Sequence, residues 1–171
     1  MKVNNSFVRK LKSLAVSIAV ISLFLLLGAL FFGRRLTLHH RQTEVARVGS
    51  QVMPFDLEAT THEFDPLPDG GLQTVTADNP ADKQQIELIQ SHLKEESNKF
   101  QSGDFSDPAK IHGEDMPGLD SLQVGASDID VQYTALPDGG QIRYVTDSAD
   151  LVLAIHTWFG AQRSDHGHHA K

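Results

Sequence analysis

The pentapeptide Leu-Pro-Asp-Gly-Gly occurs twice, at residues 67–71 and 136–140. Proline presets φ for the first central position of a tight turn, aspartate suits the second, and glycine accepts the left-handed conformation that closes a bulged hairpin. Each copy should therefore reverse the chain between two strands. The residues that follow, Leu72-Gln73-Thr74-Val75-Thr76 and Gln141-Ile142-Arg143-Tyr144-Val145-Thr146, have the β-branched and aromatic character of strands.

Helix starts come next in both copies. Asn79-Pro80-Ala81-Asp82 offers an N-cap, a proline at the first helical position and an acid at the third; Asp147-Ser148-Ala149-Asp150 offers the same without the proline. Turn, strand and capped helix recur in one order, so the sequence reads as a hairpin-plus-helix unit used in duplicate.

A first strand is expected within 55–66, where apolar and polar residues alternate, and Pro66 and Pro68 make it an edge strand. In the second unit Ile129, Val131 and Tyr133 alternate without interruption, which predicts a central pair of strands. A helix over 80–99 places Ile86, Ile89 and Leu93 on one stripe, and one over 148–163 carries Leu151, Val152, Ile155, Trp158 and Phe159. Between the units, residues 103–119 are dense in Gly, Pro and Asp, predicting an ordered loop with short helical turns after Ser106 and from Leu119. The fold class is α+β: a four-stranded antiparallel sheet from two hairpins, with two helices on one face.

This domain is preceded by an uncharged apolar run over 14–33, the length a helix needs to cross a bilayer. The run continues into Arg34-Arg35 with no small-residue cleavage site, so a retained anchor is expected rather than a cleaved signal peptide. Residues 1–13 form a cytoplasmic segment, 34–53 a juxtamembrane stalk that could extend the helix, 54–165 the folded domain and 166–171 a His-rich tail. Basic residues on the two sides nearly balance; the free amino terminus tips the orientation toward N-terminus inside and domain outside. The implied location is single-pass in a bacterial inner membrane with the domain in the periplasm.

Charge is distributed to match. Residues 1–47 hold eight Lys or Arg against one acid, whereas 48–171 hold seven against twenty-one. An acidic domain without a basic stripe is repelled by phosphate backbones, which excludes nucleic acid as a partner. The chain has no cysteine, so disulfides, thiolate metal sites and cysteine nucleophiles are excluded with it. No phosphate-binding loop, Gly-x-Ser-x-Gly elbow, His-Glu-x-x-His or EF-hand pattern is present.

What remains is histidine. His62, His92, His112, His156 and His166 are spread over both units, the loop and the end of the last helix. If the units pack about a pseudo-twofold axis, His92 and His156 could face one another, with His112 and Met116 arriving from the loop and His166 closing the set. Imidazole with thioether suits copper, and imidazole with carboxylate suits zinc. The expected metal or small-ligand site is therefore His92, His112, Met116, His156 and His166. The competing reading makes the helical histidines boundary residues and Met116 a core filler. The domain would then be an interaction module for a partner membrane protein. A small His-dependent hydrolase or transferase, with His112 beside Glu114 and Asp115, is a third possibility.

The run Gly103-Asp104-Phe105-Ser106-Asp107-Pro108 through Ile111-His112-Gly113-Glu114-Asp115-Met116-Pro117-Gly118-Leu119, with the ending Ser164-Asp165-His166-Gly167, resembles a family of small bacterial proteins often catalogued as aspartate carbamoyltransferase. The likeness covers roughly residues 55–168. It implies that the central loop and the Asp-His-Gly ending are the functional parts. The Ser-Thr-Arg-Thr phosphate-binding motif of carbamoyltransferases is absent from this chain, so no carbamoyl transfer is carried over.

Overall fold

A computed structural model describes the backbone of residues 5–167 and 170, and the side chains from residue 22 within that range. Lys2 and the histidine pair 168–169 lie outside the described residues, as do the side chains of Arg9, Lys10 and Lys12. The chain divides into two compact units, Met1–His40 and Arg41–Lys171.

Helix α1, Asn5–Val52, begins in the first unit, and its final residues belong to the second. It carries one stretch long and apolar enough to cross a membrane, with Leu23, Phe24, Leu25, Phe31 and Phe32 exposed along it. The expected stalk is helical to Val52.

The second unit is an α+β domain. Strands β1 (Thr60–Leu67), β2 (Gly70–Ala77), β3 (Asp130–Leu136) and β4 (Gly139–Val145) form an antiparallel sheet in the order β1-β2-β4-β3. Helix α2 (Lys83–Gln101) follows the first hairpin and α5 (Ala149–His166) the second; α3 (Ser106–His112) and α4 (Leu119–Val124) occupy the connection. Both turns are two-residue Pro-Asp loops, since Leu67 pairs with Gly70 and Leu136 with Gly139 in an uninterrupted register. The bulge expected at each turn is absent.

The paired glycines serve the middle of the sheet. β2 and β4 both begin Gly-Gly and lie side by side, and the second glycine of each pair makes room for a helix. A Cβ on Gly71 would sit 2.4 Å from the Phe159 ring and 2.8 Å from Ile155, both on α5, while one on Gly140 would press on Leu93 of α2 at 3.2 Å. Each helix thus crosses to the other hairpin: α2 packs on β3 and β4, α5 on β1 and β2. The turns are also exchanged. Asp138 O accepts from Ala77 N at the end of β2, and Asp69 O accepts from Thr146 N just beyond β4.

Two further expectations need correction. The second hairpin is not wholly central, because β3 is an edge and β4 shares the middle with β2; β1 is the edge strand its prolines predict. Helix α2 begins later than residue 80. Asp82 is its N-cap, accepting from Gln85 N at 3.1 Å, while the Asn79 side chain accepts from Ala81 N in a separate turn.

Glutamine side chains close open backbone positions. Gln101 donates to Ile129 O at 3.0 Å and accepts from Val131 N at 2.9 Å, while Gln85 holds Asp56 by both N–H and C=O in the same manner. At the opposite edge Arg163 donates to Phe64 O, and His62 bridges to Ala170. The core between sheet and helices is aromatic, with Phe64, Phe100, Phe105, Tyr144, Trp158 and Phe159 in one cluster.

Candidate ligand pocket

Four elements of the second unit send histidines to one place. On β1, alternation turns Thr60, His62 and Phe64 inward, and all three are buried. On α2, the stripe of Ile89, Leu93 and Phe100 also contains His92 and Glu96, both buried. His112 is the last residue of α3, and α5 contributes Trp158, Gln162 and, in its final turn, His166. His62, Phe64, His92, Leu93, Glu96, Phe100, His112, Trp158, Gln162 and His166 wall a cavity of about 30 Å³ that Phe55, Val75 and Ile111 also line.

The rings are close. His166 stacks on His62 with centroids 5.1 Å apart and meets His112 edge-on at 5.0 Å; Phe55 lies 6.2 Å from His62 and 5.7 Å from His92. His62 and His166 also line a second cavity, of about 20 Å³, beside Asp165 and Gln42.

His112 is held by its neighbours. Its Nδ1 lies 3.0 Å from Asp165 Oδ2, and Arg41 grips the same carboxylate through Nε and through Nη2, the latter at 2.6 Å from Oδ2. Arg41 Nη2 also donates to His112 O at 3.0 Å. Burial pushes the Asp165 carboxyl up, but the hydrogen bonds from His112 and Arg41 outweigh it and leave its pKa below the ordinary value. An imidazole donating Nδ1–H to a carboxylate keeps the lone pair on Nε2, the form used by metal ligands and general bases.

The opposite wall holds a second network. Lys99 Nζ reaches Glu96 at 3.0 Å and Asp107 at 2.7 Å, tying α2 to α3. Burial, and then the contact with Asp107, raise the Glu96 carboxyl to about 7 against the pull of Lys99. Burial also lowers His92 below the usual imidazole value, with Asp107 and Glu95 opposing the shift.

Among the described residues, Trp158 Nε1 and Gln162 Oε1 on α5 are buried side-chain atoms without a hydrogen bond, and both residues wall the larger cavity. Buried polar groups are ordinarily paired, so this donor and this acceptor mark where a bound molecule would be recognised.

The expected site residues separate. His92, His112 and His166 line the pocket together with His62. His156 lies elsewhere: its Nε2 donates to Leu67 O at 2.9 Å and Gly70 O at 3.0 Å, steadying the first hairpin turn. Met116 is part of the hydrophobic core. Among the described residues, no group of three or more His, Cys, Asp or Glu side chains is arranged to hold a metal ion. Glu96, Trp158 and Gln162 join the site unforeseen. Glu96 was visible as a carboxylate on an apolar stripe, whereas nothing local marks Arg41 as the partner of a residue 124 positions away.

Comparison of this chain with protein-family models, with curated proteins and with solved structures finds no significant match.

Proposed function

We propose that the chain is a membrane-anchored domain that binds a small polar solute in the histidine-lined pocket. The observation that carries this reading is the unpartnered pair Trp158 Nε1 and Gln162 Oε1 on the wall of a cavity shared with four imidazoles. The apolar run of α1 supplies the anchor, and its flanking charges favour the N-terminus inside and the acidic domain on the periplasmic face of a bacterial inner membrane.

A divalent metal such as copper or zinc is the second reading. It is favoured by the carboxylate behind His112, an arrangement that orients metal-ligating histidines, with His166 alongside. It requires the side chains to rearrange, since no ready group of ligands is present among the described residues.

Trp158 is the chain's single tryptophan, so its indole N–H is a unique resonance at the pocket wall. The full chain in detergent, titrated with zinc, copper, imidazole, acetate and acetamide, should show a saturable shift of that resonance with at least one of them. His112→Ala should weaken a metal response by roughly tenfold or more. No saturable shift with any solute overturns the reading.

A further inference from the structure

The chemistry of the pocket wall narrows what can enter it. Trp158 offers a donor and no acceptor, and Gln162 Oε1 an acceptor. They stand four residues apart on α5, a spacing that puts side chains next to one another on one helix face, about 5–6 Å apart at Cβ. A molecule reaching both must carry an acceptor and a donor side by side.

The charged groups nearby are already engaged. Asp165 is taken by Arg41 and His112, and Glu96 by Lys99. Phe55, Phe64 and Val75 share the remaining wall with the four imidazoles and Gln73. An ion entering would give up its hydration for one unpaired donor and one unpaired acceptor beside the imidazoles, a larger cost than a neutral solute meets. The cavity of about 30 Å³ is small, which limits the solute to a few heavy atoms, about four at most.

We infer that the pocket takes a small neutral amide, whose C=O accepts from Trp158 Nε1 while its N–H donates to Gln162 Oε1. This deepens the reading of the pocket as a solute site and rests on it. A ligand of about four heavy atoms binds no more tightly than tens of micromolar, so the midpoint falls between that value and tens of millimolar.

The isosteric pair acetamide and acetate tests the class, using the full chain in detergent near neutral pH and the Trp158 indole resonance. Acetamide should give a saturable downfield shift, and acetate none at the same concentration. Gln162→Leu removes the acceptor with little change of volume and should weaken acetamide by roughly tenfold, with a cooperative urea transition showing that the variant is folded. A response to acetate at equal or lower concentration overturns the amide class, as does undiminished acetamide binding by Gln162→Leu. If zinc, copper, imidazole or acetate shifts the indole and acetamide does not, the class falls and the pocket reading stands. If none of the solutes shifts it, both fall.

Discussion

Glu96→Gln should make the domain more resistant to unfolding as pH rises. Glu96 is 4% exposed, and burial, then the contact with Asp107, raises its carboxyl from 4.5 to about 7. A folded-state pKa above the unfolded one means that the fold prefers the protonated acid. Its stabilising contribution is full below the unfolded pKa and is lost as pH climbs through the folded one. The rise from 4.5 to about 7 is worth about 3 kcal/mol at most. About 2.5 kcal/mol of this falls between about pH 5 and pH 8. Asp107, which contributes to the rise and whose side chain is 22% exposed, lets solvent screen its share, leaving about 2 kcal/mol as the expected change. Urea unfolding of the full chain in detergent, followed by Trp158 fluorescence, measures the second unit alone because no other tryptophan is present. The difference in stability between Glu96→Gln and the parent should move by about 2 kcal/mol in the variant's favour across that pH range. Taking the difference cancels the pH dependence common to both proteins. Parallel stability curves would refute the reasoning and place an ionised, solvated carboxylate at position 96.

Asp165→Asn should cost about 1–3 kcal/mol near neutral pH, since it uncouples Arg41 and His112 from a buried carboxylate while leaving Arg41 half in solvent. In the parent this contribution is present above the ordinary carboxylate range and lost as pH falls through the depressed folded value, so the gap between the two urea curves should close in acid. His156→Ala removes a donor shared by Leu67 O and Gly70 O, and should cost about 1 kcal/mol while leaving the Trp158 indole response to solutes unchanged. Gly71→Ala drives a methyl into Phe159 and Ile155 and should cost about 1–3 kcal/mol by the same urea assay, with unaltered stability counting against the close packing of α5 on β2.

The sequence made the hairpins readable because their determinants are local: Pro-Asp between strands and Gly-Gly where a second strand and a helix approach. The existence of α2 and α5 was readable from their apolar stripes, but the start of α2 was not. Asn79 and Asp82 are both capping residues, and only the packing of the chain against the sheet selects the second. The pocket was readable in part. Histidines on an inward strand position, on a helix stripe and at two helix ends converge because their elements do, yet His156 sits on the same helix as His166 and faces the hairpin turn instead. Which side of α5 addresses the cavity depends on the exchange of helices between hairpins, a property of the whole fold. The pairing of Arg41 with Asp165 depends on contacts equally distant in sequence.

The glutamine clamp on β3 bears on how such domains live beside one another. A sheet margin with vacant N–H and C=O groups invites a second sheet to zip onto it. By standing in for a neighbouring strand at Ile129 and Val131, Gln101 denies an approaching copy its first rung. Copies of the domain can then stand close together without fusing into ribbons.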